Sequence, residues 1–162
     1  MRHYLVVANQ TLKQPELTEE IRTCIDAGPC DFFLLVPATR AHEPVQWTPA
    51  DARAVARRRL DSALERFRAL GAEVVGEVGD PSPVVAIGAL LRRRSFDALI
   101  LSTLPVGPSR WLRHDVPSRI ERLFNMPVEL VTPPLEVELD LSAVEAIAAS
   151  VAPQPQEAVA TP

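Results

Sequence analysis

The chain has 162 residues, a hydrophobic share of 47% and a formal net charge of −4. That is enough chain for one domain with a single core, and no apolar run reaches the roughly 18 residues of a membrane span. All 17 bases precede Pro133, against 16 of the 21 acids, so residues 1–132 are near neutral and carry no basic nucleic-acid footprint.

The elements follow in chain order. His3 to Ala8 reads as a first strand, ending at Asn9-Gln10-Thr11. Glu16 to Ala27 reads as a short helix with acids in its first turns and Gly28 as its stop. Phe32 to Val36 is a second, buried strand closed by Pro37, and Ala38 to Gln46 a loop. Thr48-Pro49 starts the longest helix, with Thr48 as cap. Its apolar stripe is Ala56, Leu60, Ala63, Leu64, Phe67 and Leu70, and Gly71 ends it. Arg53, Arg57, Arg58 and Arg68, interspersed with acids, read as a solvated face.

Residues 72–102 form the clearest unit. Glu73 to Val78 alternates as a half-buried strand, and Gly79-Asp80-Pro81 stops it. A helix follows, capped by Asp80 or Ser82, with Val84, Ile87, Gly88 and Leu91 as its apolar face and three arginines (Arg92, Arg93, Arg94) near its end. Phe96 to Leu101 is a strand buried on both faces. The loop from Ser102 to His114 leads to a short helix, Pro117 to Phe124, and a fifth strand, Pro127 to Val131. Strand–helix–strand units of this length imply right-handed crossovers and a parallel sheet. The order βαβαβαβαβ predicts an open, doubly wound α/β sheet with helices on both faces.

The domain is therefore expected over residues 1–132, and residues 133–162 form an acidic C-terminal extension. Leu135 to Leu139 alternates as an extended arm, Ser142 to Glu145 is a capping box opening a helix over 142–152, and the end is expected to be mobile. The first residues lack a signal-peptide layout, which predicts a cytoplasmic protein. Cys24 and Cys30 cannot complete a zinc site and are expected to be buried, reduced thiols; no metal is expected.

In a doubly wound sheet, ligands bind beyond the carboxyl ends of the strands, where the strand order reverses. For an order of 3-2-1-4-5 this lies between strands one and four. The lining would be Ala8 and the loop Asn9–Leu12 after strand one, Val36 and Pro37 nearby at the end of strand two, and the loop Ser102–Asp115, which begins Ser102-Thr103. That loop also holds Gly107, Arg110, Trp111, Arg113 and His114; its arginines could clamp a phosphate, and Trp111 could stack on a base or bury in an interface. His114 and Asp115 are sequence neighbours pointing apart, and no serine sits in a nucleophile elbow, so no catalytic residue is assigned.

The stretch EVVGEVGDPSPVVAIGALLRRRSFDALILST, together with YLVVA near the start and MPVELVT at residues 126–132, resembles the universal stress protein domain. The resemblance covers about residues 3–132. It implies a five-stranded parallel sheet of order 3-2-1-4-5, and commonly a homodimer pairing the last strands, here with Val128, Leu130 and Trp111 at the interface. In one branch it implies ATP binding, through an acid after strand one and a Gly-x-x-Gly-(nine)-Gly-Ser/Thr loop. This sequence departs from both patterns. Asn9 stands near the acid, and Ser102 and Pro105 replace the first two glycines. An alternative register restores Gly107 and Ser118 but mismatches Leu104 and Pro117. Prolines in the loop remove N–H donors that a phosphate needs, and Asp115, a good N-cap, would put its own carboxylate at the anion position of the last helix. The resemblance thus leads to a non-catalytic, stress-related or regulatory binding protein. ATP or another adenine nucleotide held by Asn9, Thr103, Arg110, Arg113 and Ser118 is one alternative, and a protein-interaction module is another; neither nucleic acid nor membrane is an expected partner.

Overall fold

The computed structural model describes residues 1–39, 48–105 and 109–134. Residues 40–46 of the expected loop Ala38–Gln46, the arm at 135–139 and the helix at 142–152 lie outside them. The elements run β1 (Arg2–Val7), α1 (Pro15–Ala27), β2 (Cys30–Pro37), α2 (Pro49–Ala69), β3 (Glu73–Gly79), α3 (Pro83–Leu91), β4 (Ala98–Ser102), α4 (Arg110–Arg113), α5 (Val116–Phe124) and β5 (Val128–Val131). The five strands form one parallel sheet in the order β3-β2-β1-β4-β5, as expected. None of the described helices is long and apolar enough to cross a membrane.

Helices cover both faces, because strands buried on both sides need apolar partners above and below. On one face α1 (Leu17, Ile21, Cys24) and α2 (Ala56, Leu60, Ala63, Phe67) pack on Tyr4, Val6, Phe32, Leu34 and Ile100. On the other, α3 (Ala86, Ile87, Leu90) and α5 (Val116, Ile120) pack on Leu5, Val7, Phe33, Leu35, Leu99 and Leu101. Trp111 is half-buried and leans on this second cluster. β3 and β5 are the edges, which leaves Val75 and Leu130 52% and 45% exposed.

The helix boundaries follow local chemistry. Thr48 and Asp51 close a full capping box at the start of α2: the Thr48 hydroxyl accepts from the Asp51 amide at 3.2 Å, and the Asp51 carboxylate accepts from the Thr48 amide at 2.9 Å. The Thr48 hydroxyl also donates to the Asp51 carboxylate at 2.6 Å, and this bond, followed by the one from the Thr48 amide, stabilises the carboxylate and lowers its pKa. Gly28 (φ +144°) and Gly71 (φ +88°) stop α1 and α2 in conformations that side-chain residues rarely adopt.

Three expectations need correction. The buried stripe of α3 is Pro83, Ala86, Ile87 and Leu90, not Val84, Ile87, Gly88 and Leu91. The segment PVVAIGALL is apolar all round, so periodicity alone could not set its phase. The phase is set by size: a Cβ on Gly79 would come within 2.8 Å of the Ala86 Cβ, so these small residues face each other where α3 crosses β3. Cys24 is buried but Cys30 only half so; both are free thiols. Asp115 occupies the N-cap position of α5 but makes no side-chain cap bond. It is left-handed (φ +51°), and its carboxylate lies 3.5 Å from Arg122 Nη2, two turns along the helix, rather than at the anion position.

Candidate functional site

The strand order reverses between β1 and β4, so the crevice of a doubly wound sheet lies past Val7 and Ser102. The buried polar side chains among the described residues all gather there: Asn9, Thr11, Ser102, Thr103 and Ser109. A hydrophobic sheet has no need of such a group, and each member must find a partner or lose its hydration uncompensated.

The partners come from within the crevice. Asn9 is 4% exposed, and its Nδ2 donates to the Pro37 carbonyl and to Thr39 Oγ1, both at 2.8 Å. Its Oδ1 accepts from Arg59 Nη1 at 2.5 Å. Thr11 and Ser102 share a hydroxyl–hydroxyl bond of 2.7 Å across the reversal point. Thr103 and Ser109 share another of 2.7 Å, and Ser109 Oγ also accepts from the Leu112 amide at 3.1 Å, tying the first turn of α4 to the end of β4. Backbone bonds complete the frame: Ala8 to Leu35, Ala38 to Gly79 and Thr103 to Val131 extend the ladders past the strand ends. Every buried hydroxyl and amide of the cluster is thus joined to another protein group.

The expected site residues fall as follows. Ala8, Asn9, Val36, Pro37, Ser102 and Thr103 come together at the reversal point, all buried. Ser118 lies in the first turn of α5, exposed, with its carbonyl accepting from Arg122 Nε. Gly107 and the side chains of Arg110 and Arg113 lie outside the described structure. Of the interface residues, Val128 is half-buried against the second cluster while Leu130 faces outward on the free edge. His114 is exposed. Among the described residues no group of three or more His, Cys, Asp or Glu side chains converges as a metal site requires.

Sequence reasoning placed Thr11 and Ser109 within the lining loops without singling them out, and missed Thr39 and above all two arginines of α2. Arg59 reaches Asn9, and Arg66 Nη2 donates to the carbonyl of Leu12 in the β1–α1 loop. A signal was present. Residues 59 and 66 are seven apart, each just before a stripe residue (Leu60, Phe67), so both lie along one border of the buried face. Their position there marks them as stem-buried cations rather than members of the solvated face.

A parallel doubly wound α/β domain ordinarily receives a ligand at its switch point, where the polar residues of this chain collect. No protein-family model and no curated protein matches the sequence. Solved structures do match. A universal stress protein family member from Burkholderia pseudomallei superposes with a TM-score of 0.58 at 16% identity, covering 80% of this chain and 94% of that one. A universal stress protein from Archaeoglobus fulgidus gives 0.56 at 15%, covering 81% and 93%. A universal stress protein in complex with cAMP gives 0.53 at 17%, covering 80% and 96%. The chain therefore has the universal stress protein fold.

Proposed function

We propose that this domain acts by binding rather than by catalysis, as a stress-related or regulatory homodimer whose switch-point crevice is closed to a nucleotide held in the usual way. The mutual bonding of Asn9, Thr11, Ser102, Thr103 and Ser109 carries this reading. The hydroxyls there are paired with one another and not with a base that would activate them. Asn9 is fixed at both ends of its amide, where an acid free to meet a ligand would be expected. A nucleotide would have to break these bonds and replace each of them.

The dimer is proposed through β5, whose outer edge is unpaired among the described residues and which turns Leu130 outward. Light scattering should find a dimer, and Leu130→Glu should convert it to monomer or aggregate; an intact dimer in that variant places the interface elsewhere. Thermal melts with ATP, AMP and cAMP at millimolar concentration should leave the midpoint unchanged. A ligand present at 100 times its dissociation constant would add about 2.7 kcal/mol, which such a melt resolves.

One observation favours a second reading, adenine-nucleotide binding: a protein of this fold is known in complex with cAMP. In that reading Asn9, Thr103 and Arg59, with Arg110 and Arg113, would turn from one another to the ligand. A saturable nucleotide-induced gain in stability that is lost in Arg110→Ala with Arg113→Ala would establish it.

A further inference from the structure

At the amino ends of the strands, opposite the crevice, the sheet carries a recess of about 540 Å³. Its floor follows from strand register. His3, Asp31 and Glu73 are paired neighbours across β1, β2 and β3. Laterally paired residues of a pleated sheet project to one face, and that face is shared two positions later by Leu5, Phe33 and Val75. The segment between α3 and β4 supplies the wall. Arg94 Cζ lies 4.9 Å from the centroid of the Phe33 ring, and Phe96 is tilted against the same ring at 5.9 Å. Val75, 52% exposed on the edge strand, opens the remaining side.

The charges around this aromatic floor are unequally committed. Asp31 is taken by His3, whose Nδ1 lies 2.9 and 2.8 Å from its two oxygens. Glu77, further along β3, is taken by Arg93 at 2.5 Å. Among the described residues, neither Glu73 nor Arg94 forms an ion pair, and the described contact of Arg94 is the Phe33 ring. The recess therefore presents a carboxylate and a guanidinium that form no ion pair among the described residues, the guanidinium lying against the buried Phe33 ring, beside the half-buried Phe96 and the exposed Val75. A simple cation would satisfy Glu73 and be repelled by Arg94, and a simple anion the reverse. A small molecule with both charges and an apolar body satisfies both and covers Val75 and Phe96.

We propose that this recess binds a free α-amino acid with a large apolar side chain, its ammonium toward Glu73, its carboxylate toward Arg94, and its side chain over Val75 and Phe96. The site stands at the other end of the sheet from the crevice and does not rest on the reading given there.

The test is a titration of the isotope-labelled full chain with L-phenylalanine and with L-leucine, followed by NMR. Saturable shifts should concentrate at His3, Phe33, Val75 and Phe96. Phenethylamine and phenylpropionate, which each lack one charge, should bind roughly tenfold more weakly or worse, as losing a charged hydrogen bond implies. Glu73→Gln and Arg94→Gln should each weaken L-phenylalanine by about the same factor while the remaining spectrum stays unchanged, since both residues are exposed. Absence of a saturable shift overturns the proposal. So do shifts centred on Asn9 and Ser102, equal binding of the singly charged analogues, or indifference to both substitutions.

Discussion

Asn9→Ala is the sharpest test of the crevice. The substitution removes three bonds of 2.8, 2.8 and 2.5 Å from a residue that is 4% exposed. The three partners do not suffer equally. The Pro37 carbonyl keeps a donor, the Thr39 amide at 2.8 Å, and the half-buried Thr39 hydroxyl can turn to water. Arg59 loses a charge-assisted acceptor in a partly buried setting, the largest single loss. Taking about 1.5–3 kcal/mol for a charged bond and a reduced share of about 1 kcal/mol for the two neutral ones gives roughly 2–4 kcal/mol. For a chain of this size that lowers the melting midpoint by about 5–15 °C. Urea unfolding should show a lower midpoint at unchanged slope, while Gln10→Ala, exposed next door, should stay within about 0.5 kcal/mol of the parent. An Asn9→Ala protein as stable as the parent would mean that Asn9 is not locked by these bonds and that the crevice is hydrated and open.

Three further outcomes follow from the packing. Gly76→Ala should abolish soluble folded protein or cost several kcal/mol, since its Cβ would lie 2.4 Å from the Leu34 carbonyl oxygen and 2.8 Å from Leu60 Cδ1; normal expression with a parental melt would contradict the packing of β3 on β2. Gly88→Ala should instead stabilise by about 0.5–1 kcal/mol, because its Cβ meets only the Phe124 ring, at 3.4 Å, and the helix gains propensity; a lower melting midpoint would refute this. Cys24 sets an alkaline limit. Burial, and next the nearby Glu20 carboxylate, push its thiol up to about 11 from the usual 9.0. The folded state then holds the proton more tightly than the unfolded one. Stability is at its full value below pH 9 and falls by up to about 2 kcal/mol as pH rises toward 11, a slope that Cys24→Ala should flatten in urea melts.

Much of the fold was legible because each element carries its own punctuation. Thr48-Pro49, Gly28, Gly71 and Gly79-Asp80-Pro81 mark ends by local chemistry, and the buried strands read as apolar runs. What failed was information that belongs to packing. The phase of α3 depends on Ala86 meeting Gly79, a contact between two elements, and the all-apolar helix offered no polar face to reveal it. Asp115 read as a cap because aspartate caps well in isolation; in the fold its left-handed backbone turns the carboxylate toward Arg122. The crevice was legible as a place, since topology alone puts it after β1 and β4. Its contents were not. The bond that defines it joins Asn9 to Arg59 across 50 residues, and it exists only because α2 packs on the same face as the end of β1.

That bond decides what the crevice asks of a ligand. Asn9 offers no vacancy: both ends of its amide are bonded, and the cation nearby is bonded to it. A phosphate that took the Arg59 Nη1 donor would have to give up its bond to Asn9, and at that donor only the difference between the two interactions would contribute to affinity. The same holds for the Thr11–Ser102 and Thr103–Ser109 pairs, which would exchange one hydroxyl bond for another. At the amino ends Glu73 and Arg94 have no ion pair to give up among the described residues, so an incoming ligand exchanges their water rather than a protein partner. In the proposed reading, the described polar groups at the carboxyl end serve one another, while at the amino end Glu73 and Arg94 stand ready for a ligand.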